Sequence, residues 1–308
     1  MIEIEGFRKE FKGFVAVEDL TMEIEEGAIY GFVGPNGAGK TTTIRFLATL
    51  LAPTRGTARV NGFDVVKQPR EVRRCIGYMP DAFGVYEGMK VWQYLDFFGA
   101  CYELSREKRR RIVGDVLELV DLLHKRDTNV EALSRGMRQR LCLAKTLIHD
   151  PPVLILDEPA SGLDPRARVE IKELLKELCR MGKTIFISSH ILSELADLCS
   201  HLGVIERGKL LVSEAVDEIY RRIRDRRLVR MEVVGQPGKA EWLLKREDLV
   251  SNLLTEDHYL QFEFSGTAEE KAALLHRLMD GGVQVASFSE MLPNLEEAFM
   301  ALTKGEIG

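Results

Sequence analysis

The chain has 308 residues, five cysteines and a formal net charge of -5, with 45% hydrophobic and 30% charged residues. The apolar share supports a sizeable core, the length suggests one large domain or two modest ones, and the mildly acidic balance argues against a dedicated nucleic-acid binder. No apolar run approaches the roughly 18 residues of a membrane span, residues 1–5 are acidic and carry no leader pattern, and scattered cysteines without C-x-x-C spacing point to a reduced cytosolic compartment.

In chain order, residues 28–33 read as a buried strand and 42–51 as a helix closed by Ala52 and Pro53. A helical block runs from 91 to 123, aromatic at its start and basic over 106–111. Residues 152–156 read as a second buried strand. Residues 165–181 form an amphipathic helix pattern with Val169, Leu174, Leu175 and Leu178 on one side, stopped by Gly182. Residues 184–187 read as a third strand and 191–199 as a third helix. Strands alternating with helices predict a mostly parallel sheet covered on both faces.

The pattern changes after about Ser213. A basic stretch, 220–227, leads into Val229, Met231 and Val233, which alternate with polar residues as a half-buried strand does. Residues 235–238 form a loop signal. Leu260, Phe262 and Phe264 alternate again. Ala272, Leu275 and Met279 predict a helical stripe, 283–288 a third strand of this region and 295–302 a closing helix. The expected division is residues 1–220, with the helical part at about 85–150, and a separate small α+β domain over 221–308.

The most specific signal is Gly34-Pro35-Asn36-Gly37-Ala38-Gly39-Lys40-Thr41, which matches G-x-x-x-x-G-K-[ST] between a buried strand and a helix. Glycines let the backbone wrap close to phosphate oxygens, so that successive N–H groups point inward. The helix that starts there adds the positive end of its dipole. Lys40 supplies a point charge to the outer phosphates, and Thr41 offers a hydroxyl to Mg²⁺. Thr42 continues the same turn.

Four apolar residues, Val153 to Leu156, end in Asp157 and Glu158. A buried strand ends so when its carboxylates have cationic partners, because unpaired buried charge is costly. Asp157 is placed to hold the Mg²⁺ shell and Glu158 to polarise an attacking water. His190 follows the strand 185–187 and the pair Ser188 and Ser189, at a carboxyl end equivalent to that of Glu158. The other five histidines read as ordinary surface or core residues.

Together these residues resemble the nucleotide-binding subunit of ABC transporters, and more closely the ATPase subunits that serve ABC-2-type exporters. Leu133-Ser134-Arg135-Gly136-Met137-Arg138-Gln139-Arg140 resembles the family's signature motif, Ser161-Gly162-Leu163-Asp164 its D-loop and His190 its switch histidine. Phe11 falls where the family stacks an aromatic on adenine, and residues 76–81 are similar to the strand entering the Q-loop. The resemblance implies a P-loop NTPase of ABC ATPase type, with a mostly parallel sheet core, an antiparallel N-terminal subdomain and a helical subdomain. It implies a homodimer that sandwiches two ATP molecules with Mg²⁺, each held by the phosphate loop of one chain and by Ser134, Arg135, Gly136 and Asp164 of the other. Glu158, His190 and Asp81 are the implied catalytic residues, and Thr41, Asp157 and Asp81 the implied metal ligands.

Two positions depart from the family's pattern. The signature usually has two adjacent glycines and then glutamine, whereas this chain has Arg135, Gly136 and Met137; Arg135 either adds a cation near phosphate or points to solvent. The Q-loop position usually carries glutamine and here is Asp81, which adds negative charge near the attacking water. Ser134 reads equally as an N-cap of the helix that follows, with Leu141, Ala144 and Ile148 on its inner face. The aromatics Phe83, Tyr86, Trp92, Tyr94, Phe97 and Phe98 read as helical core, and the resemblance implies that the same region receives a short helix of a membrane subunit, with Tyr86 and nearby loop residues as the contacts. The basic cluster Arg221, Arg222, Arg224, Arg226 and Arg227 reads as a solvated helix face or as attraction to an anionic membrane. The reading is thus an ATPase that powers export through a separate integral-membrane permease, cytoplasmic and peripheral on the inner face of the cell membrane, without nucleic acid. The alternative is a non-transport ABC-type ATPase acting on ribosomes or DNA.

Overall fold

The structure is a computed structural model and describes residues 1–82, 84, 86, 88–219, 227–235 and 237–291. Phe83, the arginines 221–226, the Arg227 side chain and the expected closing helix at 295–302 lie outside the described residues. The chain divides into two compact units, Met1–Val216 and Asp217–Gly308.

The first unit is built on a six-stranded sheet in the order Lys209–Ala215, His201–Glu206, Ile29–Val33, Thr184–Ser189, Val153–Asp157, Ile76–Met79. All its neighbouring pairs are parallel except the first, a hairpin. Ile29–Val33, Val153–Asp157 and Thr184–Ser189 are buried along their whole length. Strands buried on both faces read as continuous apolar runs rather than alternating ones. Their register places Val33 beside Ser189 and Asp157 beside Ser188. The loops beginning at Gly34, Glu158 and His190 therefore leave one edge of the sheet side by side, which is where such sheets bind ligands.

An antiparallel sheet, ordered Phe14–Ile24, Ile2–Phe11, Arg55–Val60, Phe63–Asp64, shares the core with the helix Lys40–Leu47. Phe7 stacks on Phe46 with ring centroids 4.0 Å apart. That helix starts two residues before the expected 42 and stops at Leu47, because Thr49 turns into the left-handed region at φ 63°. The helices Val91–Cys101, Arg106–Leu119 and Arg135–Leu147 form the helical part. In the helix Pro165–Arg180 the buried stripe is Ala167, Ile171, Leu175 and Leu178. Val169, expected on that side, is 59% exposed, since it sits two residues, more than half a turn, from Ile171.

The second unit runs strand Arg227–Val233, helix Gly238–Leu244, strands Val250–Glu256 and Tyr259–Phe264, helix Ala268–Asp280 and strand Val285–Met291. The sheet is antiparallel in the order Val250–Glu256, Tyr259–Phe264, Arg227–Val233, Val285–Met291. This is the β-α-β-β-α-β arrangement of ferredoxin-like units. Val229, Met231, Val233, Leu260, Phe262 and Phe264 point into one apolar core with residues of both helices. The strand Val250–Glu256 escaped the sequence reading because it is an outer strand with little buried. Its register slips between Ser251 and Leu254, where Asn252 has φ 50°. The helix Ala268–Asp280 buries Leu274 and Leu278, not the expected Ala272, Leu275 and Met279. Apolar residues occupy more than half of that helix's circumference, so periodicity left the inward face open.

Candidate active site

The phosphate loop begins where the strand Ile29–Val33 ends. Gly39, the N-cap of the helix Lys40–Leu47, has φ 111°, and a Cβ there would stand 2.7 Å from the carbonyl oxygen of Ala16. Only glycine lets the loop turn that closely against the neighbouring sheet. The turn buries Lys40, which is 6% exposed, and its Nζ donates to the carbonyls of Gly34 at 2.6 Å and Pro35 at 3.3 Å. The same ammonium lies 3.5 Å from Glu158 Oε1.

Glu158 sits in the left-handed region at φ 51°, unusual for a non-glycine residue. Its backbone N–H donates to Ser188 Oγ at 3.1 Å. Its Oε2 lies 2.8 Å from His190 Nδ1. One carboxylate thus stands between a lysine from the first strand's loop and a histidine from the third. Asp157 is 1% exposed, and burial pushes its carboxyl above the ordinary carboxylate value, opposed by hydrogen bonds from the Ser188 and Thr41 hydroxyls. Asp81 and Glu158 push it up further by like charge, which places Asp81 within electrostatic reach although its side chain is exposed.

The structure brings Lys40, Thr41, Asp157, Glu158 and His190 together, and Asp81 acts on Asp157 through like charge alone. Thr41 and Asp157 present an oxygen pair, and Lys40 is the cation paired with Glu158. An acidic, partly desolvated pair of this kind fits a hard divalent cation held by one carboxylate, a hydroxyl and phosphate oxygens. Phe11 is 44% exposed at the tip of the first hairpin, 4.9 Å from the Lys9 ammonium to its ring centre.

Ser134, Arg135, Gly136 and Asp164 line a separate open cleft of about 430 Å³. Ser134 Oγ accepts from Met137 N–H at 3.3 Å and so caps the helix Arg135–Leu147; Gly136 lies inside its first turn rather than before it. Asp164 Oδ1 accepts from Ala167 N–H at 2.9 Å and caps the next helix. Arg135 is exposed at this cleft, and its guanidinium donates to the Ser161 carbonyl at 3.2 Å. Sequence reasoning missed Ser188 as the residue that ties Asp157 to the Glu158 backbone. A hydroxyl at a buried strand end beside an acidic one was the available signal.

The ABC transporter family profile matches residues 17–161, and that of the C-terminal domain of DrrA1-3-like ATP-binding proteins matches residues 215–303. The daunorubicin resistance ATP-binding protein DrrA3 of Streptomyces coeruleorubidus is 32% identical over 303 residues, 98% of this chain and 95% of that one. The chain belongs to the ATP-binding subunits of ABC transporters. The Nod factor export ATP-binding protein I of Cupriavidus metallidurans is 37% identical to this ABC ATPase over 219 residues, 71% of this chain and 72% of its own. The solved structure of cbiO1 from Clostridium perfringens, part of the ABC transporter complex cbiONQ, is 27% identical and covers 72% of the ABC ATPase and 92% of its own chain, with a TM-score of 0.66. The fold is accordingly the P-loop NTPase fold of ABC ATPases, and the chain is an ATP-binding ATPase.

Proposed function

We propose that this subunit closes on two MgATP as a homodimer, hydrolyses them and thereby drives export through a separate integral-membrane permease at the inner face of the membrane. The observation that carries the chemistry is Glu158 held between Lys40 and His190. Triphosphate entering the loop draws the Lys40 ammonium, and the carboxylate oxygen it leaves becomes free to accept a proton from water. His190 holds the other oxygen and fixes the angle of the carboxylate. Mg²⁺ fits Thr41 and Asp157, and when bound it neutralises and orients the outer phosphates. Phe11 offers a ring face to adenine.

The trans arrangement is supported by the separation of the site into two surfaces. The cleft at Ser134, Gly136 and Asp164 carries a helix N-terminus whose partner is the other chain's phosphate. Export rather than a ribosome- or DNA-associated role is supported by the names of the relatives, which concern drug resistance and Nod factor export. Among the described residues no helix is long and apolar enough to cross a membrane, so the path for cargo belongs to another subunit.

A mixing experiment tests this reading. One chain carries Lys40→Ala and the other Ser134→Arg, each nearly inactive alone. In a trans dimer one composite site collects both lesions and the other has neither, so mixing restores a part of the hydrolysis. Folded mixtures that neither dimerise with ATP nor regain activity would defeat the arrangement.

A further inference from the structure

The helix Arg135–Leu147 holds the segment after Glu158 of its own chain at two points, one turn apart. Arg135 donates to the Ser161 carbonyl at 3.2 Å, and Gln139 Nε2 donates to the Pro159 carbonyl at 2.7 Å. Gln139 is 5% exposed, so water does not replace its bond. The Arg135 guanidinium occupies the space that a side chain at residue 162 would take: a Cβ on Gly162 would stand 2.1 Å from its terminal nitrogen and 2.3 Å from Cζ. On the far side Arg168 donates to the Leu163 carbonyl at 3.2 Å and pairs with Glu194 at 2.8 Å. Glu194 in turn accepts from Ser189, the residue before His190, at 3.4 Å. The stretch from Glu158 to Asp164 is therefore gripped between the signature helix and the loop that carries His190.

We propose that Arg135 is a positioning residue that couples the signature helix to the Glu158–Asp164 segment of its own chain, and is not a ligand of phosphate. The inference rests on the trans reading above. The helix that meets one ATP is then tied to the base that acts on the other, so engagement at one site sets the geometry of its neighbour. A glycine at this position, the family's usual residue, has no side chain to make that link. The link uses neither the Ser134 hydroxyl proton nor the N–H groups of Arg135 and Gly136, so these can still face an anion while Met137 N–H is held by Ser134 Oγ.

A double-mutant cycle on the full-length chain decides it, with Arg135→Ala, Gly162→Ala and both together. Gly162→Ala displaces the guanidinium while keeping its charge, and because residue 162 has φ 65° it also strains the backbone, so the double variant, which lacks the guanidinium, reads that strain by itself. Loss of one charge-assisted bond at a hydrolytic centre predicts that Arg135→Ala lowers kcat about tenfold, while KM for ATP stays within about twofold. Gly162→Ala falls by a similar factor, and the double variant is no slower than the worse single one. Thermal melts confirm that each variant is folded. A raised KM with unchanged kcat would make Arg135 a phosphate ligand and overturn the proposal, as would additive losses or an undiminished rate for Arg135→Ala. ATP-dependent dimerisation of Glu158→Gln chains is measured alongside. Its absence removes the trans reading itself, whereas dimerisation with additive losses overturns the Arg135 link alone.

Discussion

The two units bury their residues by different rules. Among the described residues, each buried polar or charged side chain lies in the first unit, including Lys40, Gln139, Asp157 and Ser188. Among the described residues the second unit's buried side chains are apolar, from Ile219 to Val283. Desolvating a charge is costly, so a fold keeps buried charges where they have partners or work to do. In the second unit the strand Tyr259–Phe264 alternates buried residues with more exposed ones, as a sheet covered on one face does. The first unit is organised around a reaction, and the second around its own packing.

The sharpest way to break this contrast is to damage the second core. Phe262→Ala removes a fully buried ring, and a truncation of that kind costs about 3–5 kcal/mol. The expected outcome is a lower melting transition for the second unit with ATP affinity unchanged. Calorimetric unfolding and an ATP titration on the same sample check it, and a coupled loss of ATP binding would show that the units are not energetically separate.

Next in size is Lys40→Ala. A lost charge-assisted contact to phosphate weakens ATP binding by about 10- to 100-fold. Titration calorimetry measures it, and unchanged affinity would detach the buried lysine from the site.

The smallest effect concerns Asp157. Burial raises its carboxyl in the folded chain. The stability given by the neutral acid is full below the ordinary carboxylate range and is lost as pH rises through the raised folded value. Asp157→Asn removes that cost, so the nucleotide-free variant should melt higher at neutral pH. The gap should close on acidification towards the ordinary carboxylate range. A variant that melts lower at neutral pH would mean that Asp157 is stabilised by its neighbours in the empty site.

What the sequence disclosed follows the same division. The phosphate loop, the acidic strand end and His190 were legible because each motif is local and sits at the end of its own apolar run. The alternation at Val229–Val233 and Leu260–Phe264 was legible because a half-covered sheet writes its faces into every second residue. The face of the helix Ala268–Asp280 was not, since Leu274 and Leu278 compete with Ala272 and Met279 until the sheet selects among them. Nor was the Arg135 bond to Ser161, which joins residues 26 apart through a turn that no period encodes.

The slip at Asn252 has a consequence for the molecule in a crowded solution. An outer strand ordinarily presents a row of unpaired N–H and C=O groups, and a straight one is a template on which another chain can zip. In Val250–Glu256 that row is interrupted between Ser251 and Leu254, where the backbone turns through Asn252. A kinked edge cannot match the repeat of an incoming strand beyond a few residues. The bulge thus guards the exposed margin of the small sheet against ribbon-like self-association, without needing a charged residue at every second position.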